Sequence, residues 1–314
     1  MGKLPFEKRK HGVLIKDKSI KIKKFKQHTA DELLNCGIVN LDKPAPMICR
    51  AATRKVRHIL EVWKAGHAGT LDPAVTGVLP IYLAKARKLS AIITTAGKEY
   101  HCWMRIHDKV SEKAIKDVLK KFTGKIKQLP PKISAVKRVE RIREIYYIKL
   151  LKIERNTAEF IVGCQAGTYI RKLCHDMGVS LGTGAHMAKL IRTKAGPYDL
   201  KNSVAMETVS NNYKEYLKTK NEKLIYDILQ PLESSIGHIP KVWMDDMVLP
   251  HLKHGSPIFA PGIIQLDDDI AVGDLVACMT TENRLASIGY AEMTSKQIMK
   301  AEKGLAIKTS TVIL

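Results

Sequence analysis

The chain has 314 residues, 53 of them Lys or Arg and 31 Asp or Glu, for a formal net charge of +22. An apolar share of 45% is ample for buried cores and excludes disordered and collagen-like classes, and the length suggests two domains. A balance this basic speaks about partners rather than fold and points to a polyanion, nucleic acid ahead of an anionic membrane surface.

No stretch approaches the ~18 consecutive apolar residues of a spanning helix. The N-terminus, Met1 to Phe6, runs into charge without the apolar core of a signal peptide. Phe6 also stands where a myristoylation signal needs Ser or Thr, so an intracellular protein with no membrane association is expected. The six cysteines (Cys36, Cys49, Cys102, Cys164, Cys174, Cys278) form no CxxC pair, and neither a disulfide framework nor a metal site is expected. Cys174 beside His175 reads as a small core residue and its neighbour.

In chain order, residues 1–28 come first, with ten Lys or Arg against two acids. Ala52, Val56, Ile59 and Leu60 then share one stripe of an amphipathic helix over 50–62. Glycines and an Asp-Pro step make 66–73 a loop, and Val78–Leu83 reads as a buried strand. Tyr100–Ile106 alternates as a half-buried strand. Ser111 opens a helix carrying Ile115, Val118, Leu119 and Phe122, with Gly124 as its stop.

Residues 142–153 and 158–164 read as paired strands, 168–177 as a helix buried through Ile170, Leu173, Cys174 and Met177, and 206–229 as a long helix. A second basic cluster spans 132–155, with eight Lys or Arg against three acids, and makes Lys132, Lys137, Arg138 and Arg141 candidate phosphate contacts. After Pro231 five short apolar runs (242–244, 263–266, 275–279, 285–290 and 305–307) alternate with turns, a small β-rich domain with its boundary near 234–240. Residues 239–314 hold seven Lys or Arg and nine acids, a net of −2, which leaves +24 on the rest.

Spacing rules out the common nucleotide motifs. Gly182-Thr183-Gly184 meets Met187 where GxGxxG needs glycine, and no GxxxxGK[ST] run occurs. Neither a Ser–His–Asp arrangement nor an HExxH run is present. Asp72, in its glycine-flanked loop between a basic helix and a buried strand, reads on the residues alone either as the turn residue of an Asp-Pro step or as an active-site carboxylate.

The run from Gly66 to Pro80, GHAGTLDPAVTGVLP, resembles the catalytic motif of the TruB family of pseudouridine synthases. Leu41-Asp42-Lys43-Pro44, Gly97-Lys98-Glu99-Tyr100, the run from Pro130 to Lys137, Ala166 to Arg171, and Gly184 to Met187 extend the resemblance in the family's order over roughly residues 35–235. Gly255–Gly262 and Ile270–Cys278 look like a PUA domain, an RNA-binding pseudo-barrel. Within the family the chain is most similar to the dyskerin homologues of box H/ACA particles, in their archaeal form. Met104-Arg105-Ile106-His107 lacks the acidic insertion of the bacterial branch, Gly196-Pro197-Tyr198 follows this branch, and no long Lys-rich tail is present.

The resemblance implies an α+β fold with a mixed, largely antiparallel central sheet and flanking helices, plus a small β-rich PUA pseudo-barrel. It implies a basic N-terminal extension over 1–34 packing on the PUA domain, a catalytic domain over 35–236 and the PUA domain over 237–314. The reaction implied is isomerisation of uridine to pseudouridine in RNA. Uracil leaves C1′, turns and rejoins through C5 without redox change, so no cofactor is implied.

Asp72 aligns with the catalytic carboxylate and Arg171 with the arginine that pairs with it, a cation favouring the carboxylate's charged form. Tyr100 aligns with the tyrosine that stacks on the base, Tyr169 with a second tyrosine of the pocket and Leu190 with an apolar pocket residue. His67 aligns with the residue that holds the rearranged RNA after the uridine leaves its stack, while Lys43 and Pro44 support the site. Implied partners are rRNA selected by a box H/ACA guide RNA, tRNA at its T-loop uridine, and the small proteins of the H/ACA particle. The implied location is the cytoplasm for an archaeal source and the nucleolus for a eukaryotic one. A non-catalytic RNA-binding scaffold is the competing reading, and retention of Asp72, Tyr100 and Arg171 argues against it. The chain departs from the family at Pro46, Ile48, Cys49 and Arg50, where a glycine and then Thr-Ser-His are usual, and its PUA region is slightly acidic.

Overall fold

In the computed structural model, which describes residues 2–8, 12–130, 137 and 139–313, the chain forms two sheets. β1 (Val13–Ile15) is followed by α1 (Ala30–Cys36), β2 (Ile38–Lys43), α2 (Cys49–Ile59), β3 (Ala65–His67) and β4 (Thr76–Leu83). Then come α3 (Ser90–Thr95), β5 (Lys98–Ile106), α4 (Glu112–Lys121), β6 (Gly124–Gln128), β7 (Arg141–Glu154) and β8 (Thr157–Cys164). They lead into α5 (Ile170–Leu181), β9 (Ala185–Ala195), β10 (Tyr198–Asp199), α6 (Met206–Thr219) and α7 (Lys223–Tyr226). The rest holds β11 (Lys241–Met244), α8 (Leu249–Leu252), β12 (Ile258–Phe259), β13 (Ile263–Asp267), β14 (Leu275–Met279), β15 (Leu285–Ala291), α9 (Ser295–Lys300) and β16 (Leu305–Val312).

The first sheet has nine strands in the order β2-β4-β9-β5-β8-β7-β6, with β3 on β4 and β10 on β9. Its pairings are antiparallel except β4–β9, where Thr76 and Gly77 run parallel to Ile191 and Arg192. This is the mixed, largely antiparallel sheet expected from the sequence. Along β5, Tyr100, Cys102, Met104 and Ile106 point to the covered face, and His101, Trp103 and Arg105 to the other. Helices α2, α4, α5 and α6 lay their apolar stripes on that covered face, including Ala52 and Val56, Ile115 and Leu119, Leu173 and Met177, and Val209. Each such side chain contributes about 1.5–3 kcal/mol on full burial. Cys174 lies in this core with its sulfur 3.6 Å from that of Cys102, as a small core residue should.

Three sequence readings change. Gly66 and His67 belong to the short strand β3, paired with Tyr82 and Ile81, so the loop begins only at Ala68. The helical pattern over 206–229 breaks at Lys220, which adopts a left-handed conformation (φ 56°) and ends α6. Strand β9 sits at the centre of the sheet although periodicity did not mark it, because its sequence, AHMAKLIRTKA, buries an arginine where the pattern calls for an apolar residue.

The five C-terminal apolar runs all lie in strands of a seven-stranded sheet, ordered β1-β13-β11-β14-β15-β16-β12. Its first strand comes from the other end of the chain: Val13, Leu14 and Ile15 pair with Asp267, Leu266 and Gln265. Lys16 fastens this strand by donating to the Ala260 and Ala301 carbonyls at 2.7 and 2.8 Å. A shared apolar cluster joins the two halves of the molecule, with Ile38, Val78, Tyr82 and Leu89 on one side and Trp243, Ile264, Met279 and Ile288 on the other. Among the described residues no helix is long and apolar enough to cross a membrane.

Candidate active site

Asp72 begins a turn between β3 and β4, its carbonyl accepting from the Val75 N–H at 3.0 Å, with Pro73 at the second position where its fixed φ favours the turn. The loop rests on buried groups from three elements. Lys43, fully buried at the end of β2, donates to the carbonyls of Pro44 (2.9 Å), Met47 (2.7 Å) and Pro73 (3.1 Å). Cys49 at the start of α2 takes the Leu71 N–H at 3.1 Å and offers its thiol to the Leu71 carbonyl at 3.4 Å.

Arg192, only 1% exposed, rises from β9 and donates to the Val78 carbonyl at 2.7 Å and the Gly69 carbonyl at 2.9 Å. It also hydrogen-bonds Tyr100. Carbonyl oxygens and a phenol satisfy this buried guanidinium, which makes it a structural cation beneath the loop. The chain passes so close here that Gly77 (φ 102°) has no room for a Cβ, which would lie 2.2 Å from the Arg192 carbonyl oxygen.

The opposite side of the cleft is the start of α5. Arg171, in its first turn, donates Nη2 to Asp72 Oδ2 at 2.7 Å. Both side chains are half exposed, so this pair adds little stability and its weight is positional. Tyr169 caps α5 without a side-chain capping bond. Its backbone is clamped instead by Gln128, which accepts from the Tyr169 N–H at 3.0 Å and donates to its carbonyl at 3.2 Å. Gln128 is 3% exposed and ends β6, so a neutral amide from another strand sets the turn that presents Tyr169 and Arg171.

Tyr100 is buried on β5 opposite Arg192 of β9, and Leu190, which pairs with Cys102, lies in the same apolar cluster. Burial raises the Tyr100 phenol above its usual range while Arg192 opposes the rise, and the hydroxyl is neutral near pH 7. Lys98, two residues earlier, is buried among the Ile93, Thr94 and Ala96 carbonyls; burial first, then the charge of Arg192, brings it down to about 7.

His67 lies on β3 with Nδ1 2.9 Å from Thr53 Oγ1. Thr53 gives its own proton to the Cys49 carbonyl at 2.8 Å, so His67 Nδ1–H donates and Nε2 is left as an acceptor. Burial, then the charges of Arg192 and Arg50, lower its pKa and keep the ring neutral. Arg141 lines a small pocket of about 60 Å³ with Gln128, Pro130, Arg143 and Tyr169, while Lys137 is exposed. Lys132 and Arg138 lie outside the described residues.

The structure thus pairs Asp72 with Arg171 and places Tyr100 near enough to feel the Asp72 charge, with Leu190 in the same buried apolar cluster as Tyr100. Tyr169 lines the small pocket with Arg141, and His67 lines a separate one with Arg50, Arg54 and Arg57. Sequence reasoning did not single out Arg192 or Gln128. Each is a polar residue whose partners lie far along the chain; Arg192 follows apolar Ile191 and proves to be the register partner of Tyr100.

A half-exposed carboxylate–guanidinium pair near a buried tyrosine, on a mixed sheet joined to a β-rich domain, marks an α+β protein with a charged surface pair on a buried support. The chain belongs to the TruB family of pseudouridine synthases. The family profile "TruB family pseudouridylate synthase (N terminal domain)" matches residues 57–170, "tRNA pseudouridylate synthase B C-terminal domain" residues 171–236 and "PUA domain" residues 240–313. Relatives include the "Probable tRNA pseudouridine synthase B" of Methanosarcina acetivorans, 42% identical over 283 residues, 90% of this chain and 84% of the relative. The protein of that name from Methanopyrus kandleri is 42% identical over 284 residues with the same coverage.

Among solved structures, a chain of a "Cbf5-Nop10-Gar1 Complex" is similar with a TM-score of 0.94 at 39% identity, covering 99% of this chain and 96% of that one. A chain from an "H/ACA RNP bound to a substrate RNA containing 2'-deoxyuridine" gives 0.91 at 36% identity, covering 99% and 97%.

Proposed function

We propose that this pseudouridine synthase acts on uridines in RNA chosen by a guide RNA, as the catalytic subunit of an H/ACA-type particle in the cytoplasm, and that Asp72 is its catalytic carboxylate. The single observation that carries the residue assignment is the 2.7 Å contact between Asp72 and Arg171, with the buried phenol of Tyr100 near enough to feel the Asp72 charge. Similarity over nearly the full length to the chain from the Cbf5-Nop10-Gar1 complex supports the particle and its small proteins.

The target base leaves its stack and enters the cleft. Tyr100 stacks beneath it, and Tyr169 and Leu190 line the apolar sides. The Asp72 carboxylate stabilises the reacting base or sugar carbon while the bond to C1′ breaks and the bond to C5 forms, dividing one hard step into two easier ones. Arg171 fixes the carboxylate's orientation, and the C5 proton leaves to water. Lys132, Lys137, Arg138 and Arg141 contact RNA phosphates, and His67 offers Nε2 to the rearranged strand.

RNA tritiated at C5 of uridine tests this reading. Tritium release with guide RNA and partner proteins, lost by at least about a thousandfold in Asp72→Asn, is the expected result. No release under any condition, or release unchanged by that substitution, would sink it. The naming of the relatives favours a second reading, action on tRNA without a guide. Release from tRNA by the isolated chain would identify it.

A further inference from the structure

We propose that the exposed arginine face of α2, together with the ring of Trp63, docks a single-stranded stretch of RNA beside the active-site cleft. The inference rests on the RNA reading above and extends it to a surface that reading does not use.

Arg50, Arg54 and Arg57 recur at helical spacing along one flank of α2, beside its buried Cys49, Ala52, Thr53 and Val56, with Arg57 partly covered. With Gly66 and His67 they line an open pocket of about 390 Å³. The neutral His67 ring and its free Nε2 therefore lie at the inner end of a row of cations. At the outer end stands Trp63, in the turn between α2 and β3, 59% exposed. Its ring is held between two further cations, with Lys64 Nζ at 4.9 Å from the centroid and the Arg87 guanidinium carbon at 5.9 Å. Arg87 is seated in turn against Gly66, where its Cγ lies 3.4 Å from the position of a Cβ.

Among the described residues none of these five cations is ion-paired with a carboxylate, so their charge faces outward. An exposed tryptophan buttressed by cations is a stacking platform, and arginines in a row beside it match the phosphates of a strand running past. Duplex RNA hides its bases from such a ring, which selects an unpaired segment. The row ends at His67, so the strand it holds continues into the cleft that contains Asp72.

The experiment uses the full chain and a fluorescein-labelled single-stranded RNA of mixed sequence, about 15 nucleotides long, within the site sizes typical of such grooves. Affinity is read by anisotropy between about 50 and 200 mM salt. Replacing Arg50, Arg54 and Arg57 by Ala should reduce the slope of log affinity against log salt by about 2, three contacts at roughly 0.7 each. Trp63→Ala should weaken binding roughly tenfold with the slope unchanged, and Trp63→Phe should restore most of it.

Thermal unfolding followed by circular dichroism should match wild type in all three variants, since every altered side chain is at least partly exposed. If these folded variants bind the RNA like wild type, the inference is overturned, whatever acidic protein the face then attracts. Wild-type tritium release alongside that result would leave the isomerase reading standing. Absence of release, with the variants still weakened, would remove that reading and keep this one.

Discussion

The loop that carries Asp72 rests on buried cations, whereas the turn that carries Tyr169 and Arg171 rests on a neutral amide. Lys43 and Arg192 reach five backbone carbonyls in and around the first wall; Gln128 reaches one residue in the second. A cation wrapped in carbonyls holds several chain segments at once, and its removal leaves all of them unsatisfied in a dry interior. A side-chain amide fixes a single turn, and its loss costs correspondingly less. The cleft therefore has one wall set together with the core and one set by a local clamp.

The largest expected effect tests the first wall. Arg192→Met should lose roughly 3 kcal/mol of stability or more, read from the urea midpoint, because two carbonyls and the Tyr100 hydroxyl lose their donor. Tritium release should fall roughly a hundredfold as the Asp72 loop shifts. Arg192→Lys should recover only part of either loss, since one ammonium cannot reproduce the guanidinium fork. Wild-type stability in Arg192→Met would show that the loop does not depend on this cation.

Gln128→Ala should cost less, about 1–2 kcal/mol, and lower kcat roughly tenfold with the affinity for RNA unchanged. Equal losses at Arg192 and Gln128 would erase the contrast between the walls.

The smallest effect is a pH dependence confined to the first wall. Burial and the charges of Arg192 and Arg50 hold His67 below its usual 6.5. Its contribution is therefore fully present above about pH 6.5 and is lost as the pH falls through the lower folded value. Between roughly pH 7 and 5 the melting temperature of wild type should fall further than that of His67→Gln. Parallel falls would mean that protonation of His67 does not strain this wall.

Much of the fold was legible in the sequence, because α2, α4 and β5 bury apolar residues at their own period and β4 is a continuous buried apolar run. The cleft residues were legible as a family motif. What escaped was the support beneath them. Arg192 stands where the pattern calls for an apolar residue, and its acceptors lie 114 and 123 residues away along the chain. Gln128 clamps a backbone 41 residues further on. The break at Lys220 escaped for a different reason, since a lysine carries no sign that its φ will turn positive.

The pairing of β1 with β13 has a consequence for biosynthesis. Val13 is made long before its partner Asp267, which lies 254 positions further along the chain (267 − 13). At ordinary translation speeds the strand spends on the order of tens of seconds on the ribosome before its partner emerges. Its row of lysines keeps this waiting segment in water, as charged residues do on unpaired edges. The second sheet is complete only when β1 meets β13, so a chain truncated before β13 leaves β1 unpaired.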